Sequence, residues 1–186
     1  MPWLQENISQ KLIEKYGNGG NMSLPKITLD TLKREFIYRD VIKIYQALGG
    51  VLTEPPIQFG RWDIVVNGFI VEFDEEQHFN RYRAKTLESL IYGMHSGFNV
   101  NCYIKYCQEN EDLCLKKASW GKYWTSQSTE RQFGPSDKYG LLGDLGSARW
   151  KQRAFFDYLR DIYSIIYKIP VLRISIYDLK STDLLT

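Results

Sequence analysis

Long apolar runs, repeats and low-complexity stretches are missing from this chain of 186 residues. No segment approaches the roughly twenty apolar residues of a membrane helix. The opening MPWLQENISQ has no apolar run behind a basic end, so neither a membrane span nor a secretory leader is expected. Cysteine is scarce: the three in the chain cannot all pair with one another, which excludes a closed disulfide framework and fits a reducing cytoplasm. A strong excess of either charge is missing too. A formal net charge of +2 does not announce a nucleic-acid binder, so any site for a polyanion has to be a local patch. What the chain does have is 44% hydrophobic and 15% aromatic residues, enough for one domain over 1–186 with a core that needs no staples.

Periodicity divides the chain. Residues 1–29 form an N-terminal extension with a short helix over 5–16 and a glycine- and asparagine-rich stretch, GNGGNMSLP, that predicts a mobile loop without chemistry. Asp30 can cap a long amphipathic helix in which Leu32, Phe36, Val41, Ile44, Tyr45 and Leu48 share a face until Gly49 and Gly50 stop it. A hairpin follows near residues 61–74, and then NRYRAKTLESLIYG (80–93) with helical spacing. Residues 93–147 are expected to be an insertion, with strand-like pieces around 100–106 and glycine-rich turns. The spacing over 148–168 predicts a second long helix, and VLRISIY (171–177) alternates as a strand. The order is that of an α/β domain: a mixed central sheet flanked by helices, with an insertion before the last core helix.

The hairpin RWDIVVNGFIVEFDEEQH (61–78) is the most informative stretch. Asn67 and Gly68 tolerate the positive φ that a tight turn demands, which fixes the register: Val66 faces Phe69, Val65 faces Ile70 and Ile64 faces Val71. Asp63 then falls opposite Glu72, with β-carbons about 4.5–5.5 Å apart, and Arg61 opposite Asp74. Trp62, Ile64, Val66, Phe69, Val71 and Phe73 form an apolar face. Asp63, Glu72 and Asp74 gather on the other. Like charges facing each other across a strand pair cost up to about 1 kcal/mol, so something has to offset them. A hard divalent cation such as Mg²⁺ takes one or two carboxylates and suits this cluster. A solvated edge on which Arg61 neutralises Asp74 is the plainer reading.

The segment VEFDEEQHFN (71–80) resembles I-E-x-D-G-x-x-H-F of the very-short-patch-repair-endonuclease-like branch of the PD-(D/E)XK nuclease superfamily. Members of that branch carry an Asp on the preceding strand, where Asp63 stands here. The resemblance continues through QRAFFDYLRD (152–161), a helix bearing an Arg, into VLRIS (171–175), and covers roughly 30–92 and 148–179. It implies a restriction-endonuclease-like core and a metal-dependent endonuclease acting on DNA, of restriction or repair type. Asp63 and Glu72 would hold Mg²⁺ or Mn²⁺, Asp74 would be a further ligand or orient water, and Glu35 on the preceding helix could reach a second metal. Two departures stand out. The lysine usual two residues after the acidic ligand is Asp74, and Glu75 replaces a glycine. His78 or Gln77 is the natural substitute for the lysine, and histidine suits proton transfer near neutrality. The alternative is a nuclease-fold protein that has lost catalysis and serves as a nucleic-acid-binding or assembly module.

Contacts with nucleic acid would come from Arg81, Arg83 and Lys85 after the hairpin, from Arg149, Lys151 and Arg153 on the later helix, and from Arg173. Clusters of this size are more commonly solvated helix faces, and only convergence on the acidic site makes them a phosphate track. The segment KKASWGKYW (116–124) interleaves bases with aromatics able to stack on nucleobases, although such aromatics more often fill a local core. His95, Cys102, Cys107 and Cys114 offer zinc one imidazole and three thiolates. Without a C-x2-C knuckle, the cysteines are more simply read as small buried hydrophobes.

Overall fold

The computed structural model describes residues 2–20, 22–94, 97–118 and 123–181. Helix α1 spans Pro2–Tyr16, followed by α2 (Leu29–Arg34), α3 (Tyr38–Ala47), the strands β1 (Ile64–Val66) and β2 (Phe69–Asp74), and a 3-10 turn over Glu76–His78. Then come α4 (Arg81–Thr86), α5 (Val100–Glu109), α6 (Glu111–Ala118), α7 (Gln127–Phe133), α8 (Ala148–Tyr167), β3 (Val171–Ser175) and α9 (Ile176–Ser181). The architecture is mixed α/β, with a three-stranded sheet in the order β1-β2-β3. β1 pairs antiparallel with β2, and β3 lies parallel to β2. Among the described residues no helix is long and apolar enough to cross a membrane.

The hairpin has the register expected of its turn: Ile64 faces Val71, Val65 faces Ile70 and Val66 faces Phe69. Gly68 adopts a φ of 95°, which a side chain would oppose. Alternation along β2 then sends Val71 and Phe73 to one face and Ile70, Glu72 and Asp74 to the other. Ile64, Val66 and Val71 pack against Ile8, Leu12 and Ile13 of α1. Ile70 and Val171 pack under Phe155, Tyr158, Leu159 and Ile162 of α8, and Val41, Ile44 and Tyr45 of α3 join them. Both faces of the sheet are therefore covered, so Glu72 and Asp74 are interior and not on a solvated edge, while Asp63 at the end of the hairpin is exposed. Trp62 lies one step beyond the ladder and packs on Tyr163, leaving the apolar face predicted for it.

Four local expectations are corrected. The helix over 30–48 is two helices: Thr28 caps α2 by accepting from Thr31, and Glu35 turns extended (ψ 145°) before α3 begins. The segment around 100–106 is a helix, capped by Asn99, whose side chain accepts from Cys102 N. The helical stretch over 80–93 ends at Thr86, and a 3-10 turn follows over Leu90–Gly93. Residues 17–20 of the glycine-rich stretch are tied to the edge of β1: Asn18 bridges Val66, and Gly19 N donates to the Val65 carbonyl at 3.2 Å. A β-carbon on Gly19 would lie 2.5 Å from the Val66 oxygen, so only glycine allows this approach. The stretch blunts an open sheet edge. The described part of the insertion carries α5, α6 and α7 and contributes buried Tyr103, Cys107, Trp124 and Phe133 to the core.

Candidate functional site

Asp63 sits one residue before β1, and two bonds bring it to Glu72 as the register requires. Its backbone N donates to Glu72 Oε1 at 3.2 Å, and its Oδ2 accepts from Phe73 N at 2.9 Å. Glu72 is nearly sealed, at 4% exposure. Burial pushes its carboxyl up to about 7; Arg160 and Arg173 pull against that shift, while Asp63 and Asp74 add to it. Arg160 Nε lies 3.0 Å from Glu72 Oε2, an ion pair without the alignment of a hydrogen bond.

The two carboxylates open onto a cavity of about 470 Å³, lined also by Glu75, His78 and one face of α8. That face carries Arg149, Arg153, Phe156 and Arg160, at spacings of three and four residues that stack side chains along a helix. Ser147 starts α8 by accepting from Trp150 N, a cap worth about 1 kcal/mol. Arg153 Nη1 donates to Gln77 Oε1 at 2.7 Å and to the Gln77 carbonyl at 3.3 Å, which locks the turn that bears His78. Arg149 donates to Gln152; burial, and then Arg153, lower its guanidinium from the usual value. The result is an acidic floor facing a cationic wall.

Behind the floor lies a buried ionic network. Arg173 Nη1 reaches both oxygens of Asp74 at 2.7 and 3.0 Å, its Nε reaches Asp161 at 2.7 Å, and its Nη2 donates to the Asp157 carbonyl oxygen at 3.0 Å. Asp161 also accepts from Arg83 at 2.8 Å and from Tyr92 at 2.6 Å. His78 Nδ1 lies 2.8 Å from Asp157 Oδ2 and 3.3 Å from Asp74 Oδ1. Burial alone would raise the Asp157 carboxyl, but His78 and Arg173 hold it well below the usual carboxylate range. An ionised carboxylate only accepts, so Nδ1 carries the hydrogen and Nε2 is the nitrogen left for other work. Asp74, His78 and Asp157 have ligand atoms within 4.8 Å of one another and could hold a metal ion.

A family model described as a family of unknown function, DUF7255, matches residues 43–183. The chain belongs to this family. Comparison with curated proteins and with solved structures gives no match. The DUF7255 match runs from within α3 through α9, so it includes the hairpin, α8 and β3, the elements that build the cavity and the network beneath it.

The other residues singled out in the sequence fall in several places. Arg83 and Arg173 are buried, at 1% and 5% exposure, and are bonded to aspartates; neither can touch a nucleic-acid phosphate from there, which corrects that expectation. Asp74 is neutralised by Arg173 and not by Arg61, because β3 lies beside β2 and pairs Glu72 with Arg173 in register. Arg173 bonds both Asp74 oxygens, and Asp74 does not line the cavity onto which Asp63 and Glu72 open. Arg81 forms a two-pronged pair with Glu111, and Lys85 pairs with Glu88. Lys151 lies over the Tyr82 ring at 5.8 Å. These three do not line the cavity, and neither does Glu35, at the end of α2. His95 lies outside the described residues, as do residues 119–122 of the aromatic and basic segment. Trp124 of that segment is core, stacked edge-on with Trp150 at 5.3 Å. Burial pushes the Cys107 and Cys114 thiols up to about 12, the opposite of what zinc thiolates need. Among the described residues no group of potential ligands within bonding range includes Cys102, Cys107 or Cys114. Sequence reasoning missed Asp157, Asp161 and Arg160; the signal was a pair of aspartates one turn apart inside the apolar stripe of α8.

Proposed function

We propose that this protein hydrolyses phosphodiester bonds of nucleic acid, DNA first among them, at the cavity floored by Asp63 and Glu72. The observation that carries the reading is the convergence of these two carboxylates with His78 and the Arg149, Arg153 and Arg160 face of α8 around one opening. In this reading the β1–β2 hairpin, α8 and β3 are the centre of a restriction-endonuclease-like core.

The donor set fits a hard divalent cation such as Mg²⁺ or Mn²⁺. Asp63 keeps one carboxylate oxygen beyond the one bonded to Phe73 N. Glu72 holds a carboxyl whose ionisation is opposed by burial and would be favoured by a nearby cation. When bound, the cation supplies Lewis acidity at the phosphate. The chain's own residues do the rest. Arg149 and Arg153 orient the phosphate and neutralise its charge. His78, fixed through Nδ1 by Asp157, offers Nε2 to take or give a proton during displacement. Arg160 balances Glu72 while the cation is away. Asp74, at the position of the missing lysine, supports Arg173 and has no part at the reacting atoms.

A second reading rests on one observation. Arg160 already provides Glu72 with a cation, so a protein that binds nucleic acid along α8 without cutting it is chemically coherent. Crystals soaked in Mn²⁺ separate the two: anomalous density between Asp63 and Glu72 is expected for the nuclease, and its absence at saturating Mn²⁺ would favour the binding module.

A further inference from the structure

A second, larger cleft of about 780 Å³ lies beside the first, between segments 24–29 and 57–62. Its walls include Phe59, Trp62 and Tyr163. Trp62 stands edge-on to both neighbours, with ring centroids 5.1 Å from Phe59 and 4.8 Å from Tyr163. Tyr163 is 1% exposed, and its phenolic oxygen has no hydrogen-bond partner among the described residues. An orphaned buried hydroxyl costs free energy, which a ligand with polar edges would recover.

The two clefts share a wall residue. Gly60 lines both, and Arg160 stands between them. Its guanidinium carbon lies 4.9 Å from the Phe59 ring centroid and 5.9 Å from that of Trp62, while its Nε faces Glu72. At the rim, Lys26 and Arg61 are exposed and available to flanking phosphates. An aromatic-walled cleft with polar edges, adjoining the proposed phosphate site and rimmed by cations, matches the chemistry of a nucleotide: base in one cleft, phosphate in the other.

We infer that the Phe59–Trp62–Tyr163 cleft holds an unpaired nucleobase of the strand whose phosphate lies against Arg149 and Arg153, an inference that rests on the phosphodiester reading above. The substrate class is then a single strand, or a duplex with a displaced base, because a paired base cannot leave its stack to enter the cleft without losing its partner.

The test is binding, with Ca²⁺ present to avoid turnover. A short deoxythymidine strand is compared with an abasic strand of equal length, on the parent, Trp62→Ala, Tyr163→Phe and Arg153→Ala proteins. The parent is expected to hold the thymidine strand about tenfold or more tighter than the abasic one, the worth of one stacked base. Trp62→Ala should erase most of that ratio. Tyr163→Phe, which removes only an unpartnered hydroxyl and so keeps the fold, should reduce thymidine-strand affinity about fivefold, the worth of one hydrogen bond. Both variants should leave the abasic strand unchanged, and Arg153→Ala should weaken both strands. Equal affinity of the parent for the two strands, or a ratio that Tyr163→Phe and any folded Trp62→Ala leave unaltered, would overturn the base cleft and leave the phosphate site standing, as would a cleft that takes a peptide instead. No binding of either strand by the parent would remove the phosphate reading, and the base cleft with it.

Discussion

Asp74 gives both carboxylate oxygens to one nitrogen of Arg173, at 2.7 and 3.0 Å, in an interior that leaves Asp74 1% exposed. Removing one member of a buried pair strands the other and costs about 3–5 kcal/mol. Asp74→Asn and Arg173→Met should each lower the unfolding free energy measured in urea by an amount of that order. Asp74→Lys, which installs the lysine that the sequence resemblance lacks, should not create activity. It would set two cations together in the core, and circular dichroism should show an unfolded or strongly destabilised chain.

The buried Glu72 carboxyl makes metal-free stability depend on pH in a defined direction. Its folded value of about 7 lies above the ordinary 4.5, so the native state binds the extra proton between those limits. The contribution is fully present below about pH 4.5 and is lost as pH rises towards 7, by about 3 kcal/mol for a shift of this size. Glu72→Gln cannot ionise. Urea unfolding of the two proteins at a series of pH values should show the variant gaining on the parent from pH 4.5 to 7 and holding a constant lead above that range.

Of the seven cationic residues that the sequence offered for nucleic acid, Arg149 and Arg153 line the cavity. Replacing either by Ala should reduce the slope of log affinity against log salt by about one unit, equally for all sequences. Arg81→Ala removes a pair whose guanidinium is half exposed, so both salt slope and stability should stay near the parent's, within about 1 kcal/mol for stability. Binding titrations at several salt concentrations check both.

What was legible in the sequence was set by local chemistry. Asn67-Gly68 fixed the hairpin register, and helical periodicity over 148–168 and alternation over 171–177 located α8 and β3, the strand ending at Ser175. The breaks were less visible: Phe36 fits the apolar period yet lies 70% exposed, in the turn between α2 and α3, because Glu35 leaves the helical conformation. The segment 100–106 alternates like a strand, but Asn99 caps it as a helix. Within the site, the pairing of Asp63 with Glu72 followed from the turn. The fate of Asp74 did not, since it depends on β3 lying parallel to β2 and on α8 covering both, long-range packing that no local pattern reports. One clue was present: in VLRIS, Arg173 alternates with Val171 and Ser175, so it had to share their buried face.

His78 is held by Asp157 through Nδ1 at 2.8 Å, so its loss should affect rate more than affinity. His78→Ala should lower the cleavage rate about a hundredfold or more while leaving Mn²⁺ affinity within a few-fold of the parent. An equal fall in both would make the histidine a prop of the site.

The most direct measurement is cleavage itself. Single-stranded and duplex DNA are incubated with parent protein and with Asp63→Asn, in Mg²⁺ and in Mn²⁺, after circular dichroism has shown that the two proteins fold alike. The account predicts strand scission by the parent with added metal and none by the variant, whose amide oxygen can still accept from Phe73 N but carries no charge. No scission by the parent with either metal, or equal scission by both proteins, would contradict it.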